Sequence, residues 1–311
     1  MFDIDKDYLK RFEEGLDTLH PENSVIKAQI IGYGEISAVF CIEGYDKLAF
    51  KRIPMFESEE QSERYIETYK EYNRLLNRSV KLPENDILKI KTDDGRIVVY
   101  VVQNKLESES IANNAIGLLP EDTVRDLIVA IFSKLKNIFS GNTNDLMIGI
   151  DGQLSNWGIY NFKEIKSRES ETVELCYLDT TTPLIRKNGV EQIETKIFLK
   201  SVPSLIGWFL KLFFLKEVLD RYYNFRSVIV DFIANFFKEG RPDLIPTSIN
   251  IANEFLADLS LNPIELKEIE SYYKRDAFIW RAFLLFRKFD RFVKKNLKKR
   301  YDFILPGKIK R

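Results

Sequence analysis

Apolar positions change their spacing twice along this chain. In the opening residues Phe2, Leu9, Phe12 and Leu16 recur among acids and lysines at helical intervals, which predicts an amphipathic helix docked on a larger body. Over residues 25–31, 38–43 and 47–53 the spacing becomes that of strands, and glycine-containing turns separate the runs. A helix is expected next. Ser58 with Gln61 three residues on matches a capping box, and Tyr65, Tyr69, Tyr72 and Leu76 recur at helical spacing. Strand character then returns at 87–91 and 97–102, around an Asp93-Asp94-Gly95 turn. The pattern predicts a five-stranded antiparallel sheet with one inserted helix.

Past Gln103 the character shifts. A polar loop or short helix leads into an amphipathic helix from Asp122 onward, DTVRDLIVAIFSKLKNIF, and that helix runs toward Asp151. Residues 157–162 and 172–178 read as two strands joined by a charged turn, KEIKSRESE, and beyond Thr195 nearly every stretch has helical spacing. The longest apolar run, 205–215, is interrupted by Lys211 and is too short to span a bilayer, and a buried helix pair of the larger lobe is expected over 204–237, where charged residues recur at helical intervals. These readings give an N-terminal helix at 1–24, a small β-rich lobe at 25–102 and a larger, mainly helical lobe at 103–311. The fold class is α+β and bilobal.

Composition adds little except at the C-terminus. With 45% apolar and 13% aromatic residues, the 311-residue chain has ample core without disulfides. Cys41 and Cys176 lie in separate apolar runs and read as reduced buried thiols, which points to a cytoplasmic protein. His20 is the single histidine, in a polar loop beside Pro21, so Cys/His metal centres and histidine-based triads are excluded. Formal charge is zero, yet residues 281–311 carry twelve Lys/Arg against Asp290 and Asp302. An apolar stripe of Phe286, Phe289, Val293 and Leu297 opposite Arg287, Lys288, Arg291, Lys294, Lys295, Lys298 and Lys299 predicts a terminal helix packed on the lobe with a solvated basic face. Contact of this basic tail with an anionic surface is the functional alternative. Neither nucleic acid binding nor a transmembrane segment is expected.

Candidate chemistry comes from five pieces in order. Gly32 and Gly34 flank Tyr33 in a turn where backbone N–H groups can approach phosphate oxygens, although a bare hairpin needs the same glycines. Ala49 and Lys51 share one strand face, a cation beside room for a flat base; a solvated strand lysine is the alternative. Among the glutamates of the following helix, Glu71 lies nearest the flank of the core stripe and is the expected carboxylate partner of Lys51, with Glu67 second. In MIGIDGQLSNWGIY, Asp151 and Asn156 put a carboxylate and a carboxamide on one loop, suited to a hydroxyl proton and to Mg²⁺ respectively. Asp179 ends the apolar run VELCYL, where it would emerge as an anionic metal ligand, and a strand-terminating Asx residue is its bland counterpart.

Over residues 25–185 these motifs resemble the protein kinase-like superfamily, nearest to the aminoglycoside and choline phosphotransferase type, and the wording of GIDGQLSNW and YLDTTTPL resembles an uncharacterised branch. The resemblance implies a bilobal kinase-like fold with ATP and Mg²⁺ between the lobes and transfer to a hydroxyl of a small-molecule or lipid-type acceptor. It places Gly32, Gly34 and Ser37 at the nucleotide loop, Ser37 replacing a third glycine. Ala49, Gln103 and Asn104 join them around the nucleotide. Lys51 falls at the phosphate lysine, Glu71 at its partner, Asp151 at the catalytic aspartate, and Asn156 and Asp179 at the metal. Gly149 stands where the family has histidine, Gln153 where it has a phosphate-touching cation, and Thr180-Thr181 follow Asp179. Those departures leave a nucleotide-binding pseudokinase as the alternative.

Overall fold

A computed structural model of the chain describes residues 2–33, 38–194, 219–297 and 300–305. Helix α1 (Lys6–Glu14) begins at Asp5, whose carboxylate accepts from the N–H groups of Asp7 and Tyr8, satisfying donors that a first turn leaves without partners. Its apolar face lies on a sheet of β1 (Ala28–Tyr33), β2 (Ala38–Ile42), β3 (Leu48–Phe56), β4 (Asn85–Lys91) and β5 (Ile97–Asn104), all antiparallel in the order β1-β2-β3-β5-β4. Helix α2 (Glu59–Leu76) enters between β3 and β4 and covers the opposite face. Ser58 Oγ accepts from Gln61 N at 3.1 Å, and the Gln61 side chain reaches back to Glu57 N at 2.9 Å, a capping box shifted by one residue.

Because both faces are covered, β5 is buried continuously from Ile97 to Val102. Phe40, Phe50, Val98, Tyr100 and Val102 pack with Leu9, Phe12 and Leu16 on the α1 side. Ile53, Val99 and Val101 pack with Tyr65 and Tyr69 on the α2 side.

A buried carboxylate fastens the α1 side. Glu13 is 0% exposed and accepts from Arg52 Nε and Nη2, Arg96 Nη1 and Tyr100 Oη, each at 2.6 Å. Arg52 donates its remaining Nη1 to the carbonyl of Asp302, and Thr18 Oγ1 donates to the carbonyl of Tyr301 at 2.6 Å. The segment 300–305, expected with the larger lobe, therefore returns to the small one. Ile304 enters the α1-side core, while Tyr301, Phe303 and Leu305 enter the α2-side core.

The larger lobe holds α3 (Ala112–Ala115), α4 (Glu121–Ser140), α5 (Phe162–Lys166), α6 (Phe225–Lys238), α7 (Ile245–Asp258) and α8 (Leu266–Asn296). Two small antiparallel sheets accompany them, one of β6 (Leu146–Ile148), β9 (Ile185–Lys187) and β10 (Val190–Glu191), the other of β7 (Trp157–Ile159) and β8 (Leu175–Tyr177). The connection expected as a plain charged turn contains α5, because Phe162 and Ile165, three apart, are both buried. The β9–β10 hairpin turns on Asn188-Gly189, both at positive φ (50° and 76°), a turn signal the periodicity reading passed over. Of the stretch 204–237, where a buried helix pair is expected, residues 204–218 lie outside the described residues and the rest runs through the buried helix α6; Lys298 and Lys299 also lie outside.

With 31 residues, α8 is about 46 Å long, long enough to reach from the larger lobe to the returning segment. Ile269 is buried near its start, and farther along the Arg287 guanidinium lies 5.6 Å from the Phe283 ring and 5.1 Å from the Phe303 ring. The expected orientation of the terminal stripe holds only in part: Phe286 and Val293 are half-buried, but Arg287 is buried and Phe289 and Leu297 are exposed. The long arginine stem supplies apolar contact and its planar head stacks on aromatic rings, so it fills that interface. Both cysteines are buried free thiols. Among the described residues no helix is long and apolar enough to cross a membrane.

Burial pushes the Glu13 carboxyl up, but Arg52, Tyr100 and Arg96 outweigh it and hold the group below the usual carboxylate value. A carboxylate with a folded pKa below its unfolded value of about 4.3 stabilises the protein above that pH, and the contribution is lost as pH falls through the folded value. Glu13→Gln is expected to cost about 3–5 kcal/mol at neutral pH by leaving Arg52 uncompensated. It should also flatten the acid side of the stability profile. Urea midpoints of the two proteins, compared from neutral pH down to about pH 3, check both effects.

Candidate functional site

Alternation along β3 sends its two cations to opposite faces. Phe50 and Arg52 meet α1, so Ala49, Lys51 and Ile53 point to the other side. There Lys51 Nζ donates to Asp179 Oδ1 at 2.6 Å, a contact spanning 128 positions of sequence, with side-chain exposures of 14% and 25%. Thr181 donates to the same oxygen from its N–H at 3.2 Å and its hydroxyl at 2.7 Å. Oδ2 takes none of these bonds. Burial raises the Asp179 carboxyl, yet Lys51 and the Thr181 donors outweigh it and hold the group below the ordinary aspartate value.

The Asp151 loop is fixed by its backbone. Gly149 N donates to Leu184 O and Ile150 N to Tyr222 O, both at 2.9 Å, and the Tyr72 hydroxyl donates to Gly149 O at 2.8 Å. Asp151 O accepts from the Tyr177 hydroxyl at 3.0 Å and from Asn156 Nδ2 at 3.2 Å, while Asp151 Oδ1 accepts from Gln153 N at 3.1 Å. Burial and the nearby charge of Asp231 push the Asp151 carboxyl up to about 7, near the operating range of a general base. Strands β7 and β8 pair Trp157 with Tyr177, and Leu178 N donates to Asn156 O at 2.8 Å. That register sets Asn156 and Asp179 at the same end of the ribbon.

The other expected residues are distributed as follows. Gly32 lies in β1 at a register shift against β2, while Gly34 and Ser37 lie outside the described residues. Ala49 is buried and pairs with Gln103, and Asn104 pairs with Leu48. Glu71 does not meet Lys51. Its carboxylate binds Lys187 of β9 at 2.8 Å and lies 3.9 Å from Arg74, and Glu67 is exposed. With Lys187 closer to hand, Glu71 is drawn toward the larger lobe, and Asp179 serves as the partner of Lys51.

What α2 presents to this region is hydroxyl groups. Tyr65 donates to Thr181 O at 2.8 Å, Tyr69 accepts from Thr180 Oγ1 at 3.4 Å, and Tyr72 binds Gly149 O. Sequence reading took these tyrosines as core filling. Three tyrosines where leucine would serve were the available signal, since each buried hydroxyl needs a partner. Two further residues were missed: Asp231 of α6, buried beside Asp151 and bonded by the Tyr272 hydroxyl at 2.8 Å, and Lys238, whose ammonium reaches the Gln153 amide oxygen at 3.4 Å.

This arrangement suits a divalent cation. Asp179 keeps Oδ2 outside the Lys51 and Thr181 bonds, Asn156 spends its amide nitrogen on Asp151 and so keeps its oxygen, and both are hard oxygen donors. Among the described residues no group of three or more His, Cys, Asp or Glu side chains gathers as a metal site. Gly152 is required by close approach, because a Cβ there would come within 2.6 Å of Val228 Cγ1 on α6. Gly152→Ala is expected to destabilise the protein by about 1–3 kcal/mol through overpacking and to shift the neighbouring Asp151. Thermal melting and the perturbed Asp151 titration, followed by carboxyl NMR, check the two parts.

Among solved structures, the chain is similar to the GDP complex of wild-type aminoglycoside 2'-phosphotransferase-IIIa, at 12% identity over 81% of this chain and 98% of that one, with a TM-score of 0.37. The GDP and kanamycin complex of APH(2")-IIia gives 13% identity over 82% and 99%, with a TM-score of 0.36. These overlaps are loose, and the site geometry stands without them. No match is found among curated proteins. A family model covers residues 27–291, which take in the small-lobe sheet, the Asp151 loop, Asp179 and most of α8. The chain belongs to that family, described as a family of unknown function, DUF6206.

Proposed function

We propose that the chain is a kinase-like phosphotransferase that moves the γ-phosphate of ATP to a hydroxyl of a small-molecule or lipid-type acceptor. The observation that carries this reading is the Lys51–Asp179 contact with Asn156 set beside it by the β7–β8 register. An ammonium bound to a carboxylate, with a carboxamide at the same end of the neighbouring ribbon, supports a magnesium-nucleotide reading.

Each residue then has a task. Lys51 orients the α- and β-phosphates and exchanges its bond to Asp179 for phosphate oxygens. Asp179 and Asn156 would hold Mg²⁺, which would supply charge to offset that of the phosphate oxygens. Ala49 leaves room for the base, Gln103 and Asn104 border it, and Gly32 of β1 lies toward the phosphates. Asp151, with its raised pKa, positions the acceptor hydroxyl and takes its proton. Lys238, at the Gln153 side chain, returns a positive charge to a position where Gln153 itself has none. The basic run 281–311 serves contact with an anionic surface and takes no part in transfer.

One observation favours the second reading, a nucleotide-binding pseudokinase. Glu71 is committed to Lys187, so among the described residues Lys51 pairs with Asp179, the proposed metal ligand, and not with a helix carboxylate.

A metabolite-pool phosphorylation assay with labelled ATP tests the proposal. Wild-type protein should label an alcohol, and Asp151→Asn should lower turnover by about 10²–10⁴-fold while nucleotide affinity stays intact. Asp179→Ala should abolish magnesium-dependent nucleotide binding measured by calorimetry. Magnesium nucleotide binding without turnover across a broad alcohol panel would select the pseudokinase.

A further inference from the structure

Helix α8 shows three of its phenylalanines to solvent. Along α8, Phe278, Leu285, Phe289 and Phe292 are 73%, 66%, 61% and 62% exposed, and Leu297 just beyond the helix is 61% exposed. Separations of seven, four and three residues put the four helical positions on one face. On the same helix Arg287 lies half a turn away and is buried. The wheel sets Lys274, Arg275, Arg281, Lys288 and Lys295 along the borders of the apolar stripe. Between positions 274 and 297 there are eight Lys/Arg against Asp276 and Asp290.

A row of large apolar side chains bordered by cations on a long surface helix has a definite physical complement. We propose that this face of α8 docks on an anionic lipid surface, with the phenylalanines and Leu285 entering the boundary between headgroups and acyl chains and the bordering cations at phosphate level. Charge complementarity selects this occupant. A second copy of the chain would bring two rows of like charge together. Nucleic acid would satisfy the cations but offers Leu285 and its neighbours no apolar medium. The inference rests on α8 and is independent of the phosphotransfer reading.

Co-sedimentation of the full chain with vesicles tests it, using phosphatidylcholine alone and phosphatidylcholine with about 30% phosphatidylserine. The expected result is partitioning at least about tenfold stronger on the anionic vesicles, weakening steeply with added salt. Phe289→Ser with Phe292→Ser should lower that partitioning by about tenfold or more with melting temperature unchanged. Lys288→Glu with Lys295→Glu should lower it comparably and flatten its salt dependence, a second route that leaves the aromatic residues in place. Equal partitioning of wild type and the phenylalanine variant would overturn the proposal, as would absence of binding to either vesicle. A wild-type dimer dissolved by the phenylalanine changes, without vesicle binding, would assign the face to a second copy. RNA retention in place of vesicle retention would likewise end the lipid assignment.

Discussion

Strand β3 carries two adjacent cations that must be satisfied on opposite faces of one sheet, and much of the molecule is arranged around that requirement. Arg52 is buried and is held by Glu13 from α1. Without that partner an arginine could not occupy the inside of the small lobe. Once Arg52 is anchored, alternation leaves Lys51 no choice of side, and Asp179 receives it. The docked N-terminal helix thus fixes the rotation of the strand that carries Lys51. A helix packed on one face of the sheet determines where a side chain on the other face points.

Helix α2 provides the second link between the lobes. Its first half packs Tyr65 and Tyr69 in the small-lobe core, and its second half gives Tyr72, Leu75 and Leu76 to the large core. Three phenol groups along this helix hold the Asp179 and Asp151 segments through backbone carbonyls or a threonine hydroxyl. Each hydroxyl is buried, and burial raises the Tyr65, Tyr69 and Tyr72 phenols above their ordinary range. They stay neutral, Tyr65 and Tyr72 as donors and Tyr69 as acceptor from Thr180, so the contact is insensitive to pH through the physiological range. Glu71 completes the bridge at its outer edge through Lys187.

Local pattern was enough to find what depends on local pattern. The five strands, the inserted helix and its cap came from periodicity because both sheet faces are covered and the turns carry glycine. Lys51, Asp151, Asn156 and Asp179 were visible because strand ends and loops isolate polar residues within apolar surroundings. The partner of Lys51 was not visible, since the choice among Glu67, Glu71 and Asp179 depends on how α2 sits relative to β9, a tertiary distance. Asp231 was hidden among the apolar residues of α6, and nothing local marks that it is buried against Asp151. The orientation of α8 was misjudged in part for a related reason: a wheel shows two faces and cannot say which one the aromatic rings of 300–305 will claim.

The return of the chain's last described segment also bears on assembly. Both cores of the small lobe contain side chains from 301–305. During vectorial synthesis the sheet and α1 leave the ribosome first, yet their packing lacks four hydrophobic side chains and one arginine-capping carbonyl until the chain has passed from Asn104 to residues 301–305. The lobe made earliest is finished last, so nascent protein must hold an incomplete apolar surface while the helical lobe is still being made.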